Sequence, residues 1–246
     1  MKIKALLAIT ALLAAGTATA QYVSTKQGTA LDYRTTAKDV EKPMLSTDSI
    51  VSVATANGRN TVRIKSCLHN DNPLQDDIVM FNSATFTTPE EPTTIVQMSG
   101  EEFKTFILNT VKMAMEEAGQ YNQQQFDEYA NSMKAKGELS LLLNPKAAPG
   151  EKIPNSRLRV DMGMQAATMF ISNAVVEGFE DITVEGGTFA NCIKVKYEKR
   201  ENTPGGSEKS YVTAWYAPQV GLVKEISTDK KGDVQSEQQL IKIVNK

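Results

Sequence analysis

Alternating apolar and polar residues dominate the chain after its first twenty positions and predict β-strands. The clearest pair, 50–53 and 61–64, flanks Asn57-Gly58. Asn and Gly readily adopt the positive φ angles that both central positions of a type I′ turn need, so this pair predicts an antiparallel hairpin. The same rhythm predicts strands over 30–34, 77–81, 94–98, 139–143, 157–162, 167–176, 179–184, 192–198, 211–216, 222–227 and 234–244.

One segment shows the periodicity of an amphipathic helix instead. Ser99 and Glu102 form a capping box, in which side chains at the helix start accept hydrogen bonds from free backbone N–H groups. Apolar residues then recur three and four positions apart from Phe103 to Ala118, and a second helical stretch runs toward Gly137. The spacing predicts one kinked helix or a helix pair over 99–136.

Turn residues between the predicted strands favour antiparallel meanders over alternating strand–helix units. Residues 21–246 are therefore expected to form a single mainly β (α+β) domain. Its predicted core is a curved antiparallel sheet or half-barrel, with the helices inserted at 99–136. Two lobes separated by the helices remain the alternative.

The first twenty residues have the pattern of a signal peptide. A basic start at Lys2 and Lys4 precedes an apolar run at 5–15, and small residues at 18–20 suit cleavage. Gln21 would then begin a mature chain that lacks a cysteine for lipid attachment there. Because no later segment approaches eighteen consecutive apolar residues, no transmembrane segment is expected in it. The sequence thus predicts a periplasmic or secreted protein.

Net charge excludes some partners. The whole chain carries −2, and removing Lys2 and Lys4 leaves 25 basic residues against 29 acidic ones. This field is too weak to argue for nucleic acid or for an anionic membrane surface.

Cys67 and Cys192 are the two cysteines of the chain. In an oxidising compartment they could form one long-range disulfide. Two separate buried thiols are the alternative, because both residues lie in apolar, strand-like runs. The residues alone leave both interpretations open.

No constellation of residues indicates catalysis. His69, the single histidine, precedes Asn and Asp residues typical of a polar surface turn, and one histidine with two distant cysteines offers little for a zinc site. Adjacent carboxylates diverge rather than face across a cleft, and nucleotide-binding glycine loops are missing. The sequence therefore predicts a protein that is not an enzyme and uses no metal or cofactor.

Methionine and aromatic side chains give weak candidates for a binding surface. Met residues make adaptable apolar contacts, and aromatic side chains line many pockets. Ordinary core packing explains the same residues equally well. The candidates are Met162, Met164, Phe170, Trp215 and Tyr216.

The C-terminal part carries two distinctive motifs, GTFANCIKV at 187–195 and WYAPQVGLVK at 215–224. The segment 182–224 that contains them resembles the TapB-like family of exported, β-rich bacterial envelope proteins. The resemblance implies a curved antiparallel sheet like the half-barrels of envelope lipoprotein carriers, with no established enzymatic activity.

These observations lead to a functional expectation. We expect a non-enzymatic exported envelope protein that binds a hydrophobic or lipid-like ligand, or a protein partner, on a curved sheet. A structural or assembly module of the envelope, docking through its helix or edge strands, is the alternative. A hydrolase is a distant third.

Overall fold

The computed structural model describes residues 21–70 and 77–245, so the predicted signal peptide lies outside the described residues. Within these ranges the chain forms strands and two helices, in the order β1 (Ala30–Ala37), β2 (Met44–Ala56), β3 (Arg59–Leu68), β4 (Ile78–Phe86), β5 (Thr93–Ser99), α1 (Gly100–Glu117), α2 (Gln123–Ser132), β6 (Lys134–Leu143), β7 (Ser156–Met162), β8 (Gln165–Val184), β9 (Gly187–Thr203), β10 (Gly206–Ala217), β11 (Gly221–Thr228) and β12 (Val234–Val244).

The strands close into one antiparallel barrel. Each strand pairs with its neighbour in sequence, and β1 also pairs with β12, from Ala30 opposite Val244 to Ala37 opposite Ser236. The mainly β class is confirmed, but the predicted half-barrel or open curved sheet is wrong. Closure joins opposite ends of the described chain, and such pairing leaves no mark in a local sequence pattern.

The predicted tight hairpin is present between β2 and β3. Asn57 and Gly58 both have positive φ, 51° and 73°, as a type I′ turn requires. In contrast, the two strands expected over 167–184 form the single strand β8. Its ladder with β9 shifts register between Ser172 and Val175, so bulges bend one long strand where the sequence indicates two.

The helical insertion is a pair, α1 and α2. Ser99 caps α1, because its Oγ accepts from the backbone N of Glu102 at 3.1 Å, which confirms the Ser99 half of the predicted capping box. The second helix ends at Ser132, earlier than expected, and Gly137 lies inside β6 with φ 75°. A Cβ at Gly137 would stand 2.2 Å from the carbonyl oxygen of Arg157. Gly137 therefore permits close strand pairing rather than ending a helix.

Alternate residues of the strands from β6 to β10 fill the barrel with apolar side chains. Leu139, Leu141 and Leu143 of β6 are almost fully buried, whereas the intervening Leu142 is exposed. They pack with buried residues of the neighbouring strands, among them Leu158, Val160, Ile171, Ile193 and Val195. Burial of this set is the main favourable contribution to the fold.

One end of the barrel is crossed by the segment that precedes β1. The backbone N of Tyr22 donates to Thr93 Oγ1 at 3.3 Å, and that of Ser24 donates to the Val220 carbonyl at 3.2 Å. Because Thr93 begins β5 and Val220 lies between β10 and β11, the segment spans the end from one wall to another. Tyr22 is fully buried there.

The opposite end is partly covered by α1, which begins where β5 ends. Its Phe103 is buried against the interior apolar cluster, and Phe106 packs beside it. The Glu102 carboxylate accepts from the backbone N of Phe81 at 3.2 Å, which ties the first helical turn to β4. The helix thus lies against the strands on one side of this end.

Replacing Gly137 with alanine tests the packing of β6 on β7. We expect Gly137→Ala to lower the free energy of unfolding by about 3–5 kcal/mol, since it adds a backbone clash to the cost of positive φ. Gly163→Ala is the matched control, because Gly163 has φ 69° and open space around its Cβ position. In chemical denaturation, Gly163→Ala should lower the free energy of unfolding by about 1–2 kcal/mol. Equal losses of unfolding free energy in the two variants would contradict the close approach of Gly137 to the Arg157 carbonyl.

Candidate functional site

A layer of polar side chains crosses the barrel interior. Gln97 of β5 donates through Nε2 to the hydroxyls of Tyr197 at 3.2 Å and Tyr216 at 3.3 Å. Several strands separate β5 from β9 and β10 around the closed sheet. These hydrogen bonds therefore run through the interior, and we call Asp48, Ser66, Asn82, Gln97, Tyr197, Tyr216 and Glu225 the polar layer.

Two carboxyl groups belong to the polar layer. Glu225 of β11 accepts from the Tyr197 hydroxyl at 3.1 Å, and Asp48 of β2 accepts from Ser66 Oγ at 2.5 Å. Burial raises the pKa of both carboxyls, against the opposing effect of Lys199 on Glu225. Their surroundings thus favour the protonated form, or a cationic or donor group brought close to them.

The tyrosines supply hydroxyl donors to the same interior. Burial raises the pKa of Tyr197 and Tyr216, so both phenols stay neutral through the physiological range. Tyr33 of β1 behaves in the same way, because burial raises its pKa, and its hydroxyl donates to the carbonyl of Leu222 at 2.9 Å. A neutral phenol can donate one hydrogen bond and accept others.

The polar layer differs from the neighbouring apolar interior in its accessibility. Asp48, Ser66, Gln97 and Glu225 retain partial exposure, whereas inward-facing apolar residues of β6 and β7 such as Leu141 and Leu158 are fully buried. The layer continues through Asn82, whose side-chain amide lies 2.8 Å from Ser66 Oγ. Hydrogen-bonding groups that keep some exposure inside a barrel suit a small polar ligand.

The ligand candidates from the sequence do not come together. Tyr216 belongs to the polar layer and Met162 packs on the interior cluster, but Trp215 donates to Glu180 at 2.6 Å elsewhere. Phe170 stacks with the Arg157 guanidinium, 4.8 Å from its ring centre, and Met164 is fully exposed in the turn between β7 and β8.

The two cysteines are free thiols in different surroundings. Cys67 of β3 donates to Asp77 Oδ2 at 3.3 Å. Cys192 of β9 is fully buried and donates to the carbonyl of Phe189 at 3.4 Å. Burial raises the pKa of Cys192 to about 11, so its thiol stays neutral. The structure thus gives each sulfur its own hydrogen-bond partner and does not pair them.

Sequence reasoning missed Gln97, Asp48 and Glu225. Each is a polar residue at an inward position of a strand that looks half-polar from its sequence. A signal exists in retrospect, because Gln97 interrupts the apolar run 95–98. It could not be interpreted without knowing which face of each strand points inward.

Comparison with known proteins identifies relatives of this fold. The model of a family described as DUF3108-like matches residues 93–240, more than half of the chain. This range contains the two C-terminal motifs, but the TapB-like name suggested by them is not confirmed. No curated protein matches the chain.

Two crystal structures share the fold. One is a "putative exported protein with YmcC-like fold" from Bacteroides fragilis, with 16% identity, a TM-score of 0.65 and coverage of 92% of this chain and 99% of the other. The second is a "putative lipoprotein" from Parabacteroides distasonis, with 18% identity, a TM-score of 0.64 and the same coverage. In the described part of this chain, no helix is long and apolar enough to cross a membrane.

The raised pKa of Glu225 predicts how its replacement changes stability with pH. A raised folded-state pKa means that stability is lost as pH rises from the usual value of 4.5 through the folded value. We therefore expect Glu225→Gln, which keeps an acceptor for Tyr197, to raise Tm at pH 7 by about 2–4 °C. At pH 4 the gain should shrink.

Glu208→Gln is the control, because Glu208 is an exposed carboxyl on the neighbouring strand β10. In thermal denaturation, the Tm of Glu208→Gln should stay close to that of the parent protein at both pH values. A Glu225→Gln gain that is the same at pH 4 and pH 7 would contradict a pKa of Glu225 that is raised in the folded protein.

Proposed function

Since this chain belongs to the DUF3108-like family and its sheet closes around a polar layer, we propose that it is a binding protein exported to the bacterial envelope. Its ligand is a small polar molecule that presents hydrogen-bond donors. The observation that carries this proposal is the bridge from Gln97 to Tyr197 and Tyr216, which places uncharged hydrogen-bonding groups beside the Glu225 carboxyl inside the barrel.

The chemistry of the polar layer selects the ligand class. The carboxyls of Asp48 and Glu225 are acceptors when ionised, and burial penalises that charge. A ligand with amine or hydroxyl groups would offset the penalty by donating to them. The ligand would approach from the end of the barrel that carries α1, since the other end is crossed by the segment around Tyr22.

A lipid-like ligand, which the sequence favoured, has weaker support. The apolar side chains inside the barrel, such as Leu141 and Leu158, are fully buried by each other and by their neighbours. A lipid chain would have to displace this packing, at a cost comparable to that of repacking a protein core. Asp48, Gln97 and Glu225 of the polar layer keep partial exposure, whereas these two leucines have none.

Binding without catalysis is the simplest use of these groups. Burial raises the pKa values of Tyr197 and Tyr216, so near neutral pH neither is present as the phenolate that could act as a general base. Their hydroxyls are already engaged by Gln97. The polar layer is thus equipped to orient a ligand by hydrogen bonds.

Export is supported by the signal-peptide pattern of residues 1–20 and by the descriptions of the two similar structures. One of those proteins is described as a lipoprotein, whereas this chain has Gln21 after its predicted cleavage site. Absence of a lipid anchor therefore stays a prediction, which the intact mass of the mature protein would decide.

Thermal-shift measurements with defined compounds test the proposed ligand class. The mature protein is exposed to a panel of polyamines, amino sugars, sugars and fatty acids, and Tm is recorded for each. We expect a polar class of compounds with hydrogen-bond donors to raise Tm. The Gln97→Ala protein should need at least about tenfold more of the same compound to reach the same rise. Gln120→Ala, at an exposed position between the helices, is the matched control and should respond like the parent protein.

Two outcomes would overturn this proposal. One is stabilisation by fatty acids alone, which would favour the lipid-like ligand. The other is an equal response of the Gln97→Ala and Gln120→Ala proteins to every compound, which would place binding outside the polar layer.

An assembly role is the second candidate, and one observation favours it. Large apolar side chains are exposed around the strand ends beside His69, namely Val40, Met44, Leu45, Ile78 and Val79. Exposed apolar patches of this kind mark many protein interfaces. Docking through free strand edges is not available to the described strands, because each has two neighbours in the closed sheet.

Site-specific photo-crosslinking in cells distinguishes this candidate. A photoreactive residue at Val79 should give a discrete crosslinked protein band if the patch docks an envelope protein. The same residue at Met164, which is fully exposed in a turn, is the control and should give none. Identical patterns at both positions would remove the assembly role.

A further inference from the structure

A second group of reactive side chains lies on the outside of the barrel, near the ends of β3 and β4. Cys67 pairs with Thr47 and Val79 across the ladders, and its neighbour Ser66 points inward to Asp48. Neighbouring strand residues point to opposite faces, so Cys67 faces outward. His69 and Asp77 lie beside it, and the ligand atoms of these three residues all lie within 4.8 Å of one another.

We propose that Cys67, His69 and Asp77 together bind one divalent transition-metal ion of the zinc class. Thiolate, imidazole and carboxylate are the three ligand types that zinc takes from proteins. Three protein ligands leave a fourth, open coordination position for water or another small ligand. This surface site is separate from the polar layer and does not depend on the proposed interior ligand.

The distances between the ligand atoms fit one shared ion. Asp77 Oδ2 lies 3.0 Å from His69 Nδ1 and 3.3 Å from Cys67 Sγ, and the sulfur lies 3.9 Å from Nδ1. Tetrahedral zinc with ordinary bond lengths needs separations of about 3.3–3.6 Å between such atoms. Each observed distance is within about 0.4 Å of that range, so small side-chain movements bring all three into coordination.

Hydrogen bonds outside this triad hold its ligands in orientation. Thr47 Oγ1 donates to Asp32 Oδ1 at 2.8 Å, so its lone pair is free to accept from His69 Nε2 at 2.9 Å. This bond presents Nδ1 to Cys67 and Asp77. The other oxygen of Asp77 accepts from the backbone N of Asn70 at 3.0 Å. Such supporting contacts fix the ligand atoms of metal sites and tune their affinity.

Proton release accompanies metal uptake at this site. The Cys67 thiol now donates to Asp77. When the metal binds, the thiol releases its proton to solvent and the sulfur bonds to the metal. The Asp77 carboxylate then coordinates the cation instead of accepting a hydrogen bond from the thiol. Metal affinity should therefore fall as pH falls.

Cobalt(II) is the probe that reports both binding and ligand identity. The full mature protein, reduced and metal-free, is titrated with Co²⁺ and followed by absorption spectroscopy. We expect one Co²⁺ per chain, a thiolate-to-cobalt charge-transfer band in the near ultraviolet, visible bands of tetrahedral intensity, and displacement by Zn²⁺. Zn²⁺ alone should raise Tm, because it binds only the folded site.

Variants separate this site from nonspecific binding. Cys67→Ser should abolish the charge-transfer band, and His69→Gln or Asp77→Asn should weaken affinity at least about tenfold. Thr47→Val should keep the band but weaken affinity by about 10–100-fold, as expected of a positioning residue. Cys192→Ser is the matched control, since this buried thiol lies elsewhere in the barrel, and its titration should follow the parent protein.

Three results would overturn the proposal. They are failure of the metal-free protein to bind Co²⁺, binding without a thiolate band, and a band that survives Cys67→Ser. Unchanged circular dichroism and Tm of the metal-free variants would establish that any loss reflects the ligands rather than the fold.

Discussion

Pairing of β1 with β12 is the constraint on which the rest of the molecule depends. It joins Ala30 to Val244 and turns a long meander into a closed barrel. Closure removes the free strand edges that an open sheet would expose to other chains. It also defines an inside, so every strand acquires one face for packing and another for solvent.

The inside is divided between two kinds of chemistry. Apolar side chains of β6 to β10 pack to high burial and supply stability. The polar layer interrupts that packing with Gln97 and Glu225, whose burial is costly unless each group is paired. Polar groups that weaken a core are commonly kept for function, which makes this layer the natural place for a ligand. The triad of Cys67, His69 and Asp77 lies on the outer face of the sheet, separate from the polar layer.

Local features could be predicted from the sequence, whereas long-range ones could not. The Asn57-Gly58 turn and the Ser99 cap were predictable because each depends on residues a few positions apart. Barrel closure and the bridge from Gln97 to Tyr216 depend on strands far apart in sequence. Asp77 was not predicted as a partner of His69, because the two residues lie eight positions apart and no periodic pattern connects them. Gly137 was misinterpreted because a positive φ serves a strand contact as well as a helix end.

The central claim is that a closed barrel keeps an accessible polar layer for a ligand. A high-resolution crystal structure of the mature protein, purified without denaturation, tests it most directly. The account predicts an unbroken ladder between β1 and β12, with ordered ligand or water density hydrogen-bonded to Gln97 or Glu225 inside. A sheet that is open between those strands, or a polar layer packed with no space beside either side chain, would contradict it.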